Sequence, residues 1–220
     1  MDTIKNHPAD ELLAFYSAAN LPLSQALCIS VHLEHCDECA RKLRRLNQIG
    51  SELMHQLKPS PPSSGLKQQL LDQLDTLTEE AVKVRPRPDN TSVPRCLHQF
   101  IKTGYEKIPW RRISPDIQSY ELCRDQNKAK VELLRIRPGG TSSTHTHMGD
   151  EYTVILEGSF SDEAGLYHKG DFLLRDASVQ HTPVATMDKD CICLAVTEAP
   201  IQLTGFFGQL LNPFIRRSYT

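Results

Sequence analysis

The chain has 220 residues, with 25 Lys and Arg against 27 Asp and Glu, for a net charge of −2. That length holds one large domain or two small ones, and the near-even balance argues against gripping nucleic acid by counterion release. No apolar run nears the ~18–20 residues a bilayer needs, and MDTIKNHPADELL carries no apolar export segment, so the seven Cys and nine His read as thiols and metal ligands of a reducing, cytoplasmic compartment.

Residues 8–82 are leucine-rich with a helical period. Leu12, Leu13, Phe15 and Tyr16 cluster, and Leu43, Leu46, Ile49, Leu53 and Leu57 recur at three- and four-residue steps, as one helix face does. After the breaker KPSPPSSG, Leu66, Leu70, Leu74 and Leu77 form another stripe. Four helices are predicted, over about 8–19, 23–36, 37–57 and 64–82, with Pro22 and Ser24 starting the second. The proline-rich VRPRPDNTSVPR (84–95) has little to bury and reads as a linker. Beyond it come short β-type runs broken by Gly, Pro and Asp: AKVELLRI, YTVILEG, DFLLRD and CICLAVTE. Such runs indicate a sandwich or barrel. The expected organisation is α+β and multidomain, with a helical domain over 1–83, a linker over 84–95 and a β-domain over 96–220.

His32, Cys36 and Cys39 stand at i, i+4 and i+7, which on one continuous helix stacks them on a single face. Two thiols and an imidazole match the N/S donors that Zn²⁺ takes tetrahedrally in structural sites. The fourth ligand lies between His7, ahead of the first helix, and Cys28, one turn before His32; His35 points roughly 100° away from Cys36. A redox dithiol and a plain pair of buried Cys are the competing readings. The stretch HLEHCDECA with its upstream His resembles the zinc-binding anti-sigma domain over residues 5–82. That resemblance implies zinc at His7, His32, Cys36 and Cys39 in a four-helix unit. Its fourth helix, set apart by SPPSSG, would help clamp an extracytoplasmic-function sigma factor.

Further on, His145 and His147 lie two apart, which on a strand sends both to one face. Glu151 can join them from the next strand, and His181 can close the group. Three His and a carboxylate suit Zn, Fe, Mn, Ni or Cu, and ligand type alone does not choose. Gly139, His145, His147, Glu151 and Gly158 resemble the first cupin motif at every position. The second cupin motif is partly present: Gly170 and His181 match, while Asp176, Ser178 and Ala185 stand where Pro, Gly and Asn are usual. The resemblance implies a double-stranded β-helix over about 100–200 that holds zinc or another divalent transition metal.

A zinc anti-sigma domain followed by a cupin resembles the layout of ChrR-type anti-sigma factors along nearly the whole chain. It implies a non-enzymatic regulator that sequesters a sigma factor, without contacting DNA or membrane itself. Release would follow an oxidative signal, such as singlet oxygen or an organic peroxide, registered by the cupin. The chief alternative is a cupin-type metal-dependent dioxygenase with a helical oligomerisation domain. DNA binding through Arg41, Lys42, Arg44 and Arg45 is opposed by Asp37, Glu38 and the negative balance. Cys191 and Cys193 share a strand face, as buried apolar residues or as an oxidisable pair about 6.5–7 Å apart, at the edge of disulfide geometry. Cys96 and Cys123 carry no recognisable context. Trp110 and FFGQLLNPF (206–214) read as core or lid packing, or as a partner surface.

Overall fold

The computed structural model describes residues 4–76 and 92–204. An extended arm leads into helices α1 (Asp10–Ser17), α2 (Leu23–Leu33), α3 (Asp37–His55) and α4 (Leu66–Thr76). Pro22 is the residue before the first turn of α2, where its fixed φ fits a helix entry. The expected second helix is three residues shorter than its apolar pattern suggests, because the chain turns at Glu34–Cys36 before α3 begins. Residues 84–91 of the expected linker, and the whole 206–214 tail, lie outside the described residues. At the far end of the linker Val93 and Pro94 are buried, and the amides of Arg95 and Cys96 donate to the carboxylate of Glu34 at 2.9 and 3.0 Å.

Among the described residues eleven strands follow: β1 (Arg111–Arg112), β2 (Ile117–Arg124), β3 (Lys130–Ile136), β4 (His145–His147), β5 (Glu151–Glu157), β6 (Ser159–Asp162), β7 (Gly165–His168), β8 (Phe172–Arg175), β9 (Val184–Ala185), β10 (Cys191–Thr197) and β11 (Ile201–Leu203). The main sheet has the order β1-β2-β3-β10-β5-β8, and smaller sheets run β7-β6-β9 and β11-β4. Every described pairing is antiparallel. Bridges at Thr141–Val184 and His145–His181 tie the loops across. This is the double-stranded β-helix that the cupin resemblance implies. Trp110, half-buried, donates its indole N–H to the Tyr105 carbonyl at 2.9 Å, lies under the Arg135 guanidinium and packs against the core.

All seven residues of β10, and all of β5 but the last, are buried. Alternation explains how. Tyr152, Val154, Leu156, Ile192, Leu194 and Val196 point to one face and join Leu13, Leu27, Ile29 and Val31 of the helices in a single cluster. Ile155, Leu173 and Cys191 point to the other face, into the barrel. Helix α2 therefore covers the outer face of the sheet, and the helical and β parts share one core. Past Leu46 the pattern reverses: every residue from Asn47 to Leu74 is exposed.

Candidate metal centres

The first group forms where α2 ends and α3 begins. His32, on the last turn of α2, is fully buried. Cys36 is the residue capping α3, in extended conformation, and its Sγ accepts the Cys39 amide at 3.4 Å. The expectation that His32, Cys36 and Cys39 ride one helix face is thereby corrected. The helix is broken between them, and the sharp junction brings the three together. The arm contributes His7, whose Nδ1 lies 3.4 Å from both Sγ atoms. The four donor atoms all lie within 4.8 Å of one another, and a tetrahedral zinc needs its ligands roughly 3.3–3.8 Å apart. Cys28 is not among them. Its thiol is turned to the sheet, against the Tyr152 carbonyl.

The protonation pattern fits a cation. His32 Nδ1 donates to the carbonyl of Gly170 at 2.7 Å, so Nε2 carries the lone pair. That Nε2 is buried with no hydrogen-bond partner, a costly state unless something coordinates it. Burial lowers the His32 pKa to about 4, against the opposing pull of the Gly170 carbonyl, so the ring is a neutral ligand at neutral pH. Burial, then the charge of Cys36, pushes the Cys39 thiol up to about 12. Two adjacent sulfurs cannot both ionise there without a cation, and a bound Zn²⁺ reverses that balance. The Nε2 of His35 is also buried and unpartnered, but among the described residues no group of three ligands includes it.

The second group lies inside the barrel. His145 of β4, Glu151 at the start of β5 and His181 are all buried, with donor atoms within 4.8 Å of one another. The main chains of His145 and His181 bond reciprocally at 3.4 and 3.3 Å, which sets their rings side by side, Nε2 to Nε2 at 3.2 Å. His145 Nδ1 donates to the Ser143 carbonyl at 2.7 Å, and His181 Nδ1 faces Asp162 Oδ2 at 3.4 Å. Both Nε2 lone pairs then converge on Glu151, whose Oε2 is 3.9 Å from His181 Nε2. Such convergence needs a cation or a shared proton between the rings. His147 ends β4; its side chain lies outside the described residues.

Sequence reasoning missed the groups that hold these ligands. Asp162, whose side chain is 1% exposed, pairs with Arg175 at 2.9 Å and accepts the Tyr167 hydroxyl at 2.9 Å. Burial acts to raise its pKa, but Arg175, the Ala164 amide and Tyr167 outweigh that and hold the carboxyl below its ordinary value. An anionic partner of this kind fixes the tautomer of a metal-binding His. No linear spacing flags it, because Asp162, Tyr167, Arg175 and His181 meet only across β6, β7 and β8. Cys191 and Cys193 are buried; burial pushes the Cys191 thiol up to about 12 and raises that of Cys193, which keeps both as unreactive thiols.

Comparison with known proteins places the chain beside one group. A family described as the ChrR cupin-like domain matches residues 98–200. The anti-sigma-E factor ChrR of Cereibacter sphaeroides is 33% identical over 217 residues, which is 97% of this chain and 99% of that protein. The crystal structure of Rhodobacter sphaeroides SigE in complex with the anti-sigma ChrR matches with a TM-score of 0.77 and 31% identity, over 89% of this chain and all of the matched one.

Proposed function

The chain belongs to the ChrR family of anti-sigma factors, and from that premise we propose that it sequesters an extracytoplasmic-function sigma factor and releases it when the barrel registers an oxidant. The observation that carries the sequestering role is the exposed stretch from Asn47 to Leu74. Ile49, Leu53 and Leu57 recur at four-residue steps there, as do Leu66, Leu70 and Leu74, and each is more than a third exposed. Apolar stripes of this length left in water mark a surface that a partner covers. The relative's structure, in complex with a sigma factor, supports a sigma factor as that partner. No helix among the described residues is long and apolar enough to cross a membrane.

In this reading His7, His32, Cys36 and Cys39 hold zinc, and His145, His147, Glu151 and His181 hold zinc or another divalent transition metal. The first ion would supply folding free energy at the α2–α3 junction; the second, a Lewis-acidic or redox centre in the barrel. The chain's own residues do the rest. The Gly170 carbonyl keeps the His32 lone pair aimed inward, and Asp162 does the same for His181. Arg175 and Tyr167 keep Asp162 anionic. The α2–α3 junction, braced by its four ligands, carries α3 out to the partner.

Co-purification of the full chain with an extracytoplasmic-function sigma factor tests the reading. Replacing Leu53 and Leu70 together by Asp should weaken binding by at least about 100-fold, while the melting of the free chain stays put, since exposed substitutions shift stability by only about 0.5 kcal/mol. Undiminished binding by this double variant would remove the stripes from the interface. Oxygen uptake by the metal-loaded chain with diketones or thiols would favour the dioxygenase reading instead.

A further inference from the structure

The zinc group is braced by the barrel as well as by the helices. We propose that the turn between β7 and β8, through Gly170 and Asp171, is a working part of that centre: it positions His32 and the His7 arm, so that docking of the barrel sets the metal affinity of the helical site. This rests on the reading that His7, His32, Cys36 and Cys39 bind zinc.

Asp171 is 2% exposed. Its Oδ1 accepts the amides of Lys5 and Asn6, each at 2.9 Å, and its Oδ2 accepts the amide of His168 at 2.8 Å. The Phe172 amide donates to the Asn6 carbonyl at 3.0 Å. The arm is thus bonded along the outer edge of β8, the last strand of the main sheet, in the two residues immediately before His7. Gly170 gives its carbonyl to His32 Nδ1 at 2.7 Å, and the Phe172 ring meets the His32 ring edge-on, with centroids 5.9 Å apart. Contact is so close that a Cβ on Gly170 would fall 2.6 Å from Ile4 Cδ1 and 3.0 Å from His35 Cβ, on a backbone with φ +92°.

Two of the four ligands therefore take their positions from a turn more than 130 residues downstream. Groups that orient metal-binding histidines are worth about 10–100-fold in affinity. Linkage makes the effect reciprocal: whatever factor docking adds to zinc binding, zinc adds to docking. Asp171 and Gly170 are positioning residues, with no contact to the ion itself.

Cobalt titration of the full chain against a competing chelator tests this. Thiolate-to-cobalt charge transfer reports Cys36 and Cys39 alone, because the barrel centre offers no sulfur. Asp171→Ala and Gly170→Ala should each weaken cobalt binding at that band by about 10–100-fold; parent-like titrations in both would overturn the proposal. Should either variant fail to fold, hydrogen exchange on a chain carrying Cys36→Ser and Cys39→Ser decides. Loss of the thiolate centre should speed exchange in peptides spanning 168–173, and unchanged exchange there would also overturn it. A parent chain with no charge-transfer band would instead sink the zinc reading beneath it.

Discussion

Cys39 sits fully buried beside a second sulfur, and burial pushes its pKa to about 12 when no cation is present. The metal-free form thus keeps this proton through the neutral range, and zinc must expel it to bind. Proton release makes affinity rise with pH, so zinc binding should weaken by at least about tenfold for each unit the pH falls below 8. A chelator competition series between pH 6 and 8 measures the slope; a flat profile would mean Cys39 is no ligand. In the barrel, Asp162 and Arg175 form a pair with side chains 1% and 14% exposed. Breaking such a pair from one side strands the other charge, at about 3–5 kcal/mol. Asp162→Ala should therefore lower stability by about 3 kcal/mol in urea unfolding, and His181 should lose its oriented tautomer as well.

Junctions matter more than interiors at the level of elements. The end of α2 and the cap of α3 create the sulfur–nitrogen cluster, and a continuous helix there would have left Cys36 and His7 without a meeting point. A comparable junction, Gly158, lets β5 pass into β6. Its φ is +70°, and a Cβ would lie 2.4 Å from the Asp190 carbonyl oxygen, which is main chain and cannot swing aside. Gly158→Ala should cost about 2 kcal/mol from the left-handed backbone and the collision together, read as a lowered melting temperature. Strand β8 is short, yet it stands between both candidate metal groups: Phe172 and the preceding Gly170 and Asp171 face the cluster of His7, His32, Cys36 and Cys39, while Arg175 at its other end reaches Asp162. A shift of this one strand would be felt at both.

Across the whole molecule, one apolar cluster runs from Leu13 and Val31 through Leu133 and Leu156 to Leu97 and Tyr105. Neither the helical nor the β part can lose the other without exposing that surface. Chemical unfolding of the metal-loaded chain should accordingly follow a single transition, with helical far-ultraviolet and aromatic near-ultraviolet signals coinciding. Two separated transitions would show that the shared cluster contributes little. The segment from Asn47 to Leu74 stands outside this unit, and its leucines gain nothing from the chain's own core, as the proposed partner surface requires.

Much of this was legible in the residues alone. Donor types at fixed spacing picked out seven of the eight candidate ligands and left the eighth between His7 and Cys28, and leucine periodicity and apolar runs placed the helices and four of the main strands. That CICLAV and YTVIL lack the alternation of a strand with one wet face matches their burial on both sides, which the structure shows. Spacing, however, is a property of a few neighbouring residues. It could not choose between His7 and Cys28 for the first cluster, and it wrongly put Cys36 on the helix of His32. Those outcomes depend on pairs such as His32 with Gly170 and Asn6 with Asp171, which are 138 and 165 residues apart. Chain-local preference determined which atoms can bind metal; only the packing of α2 and the arm onto the barrel, a sum of long-range burial and hydrogen bonding, decided which of them meet.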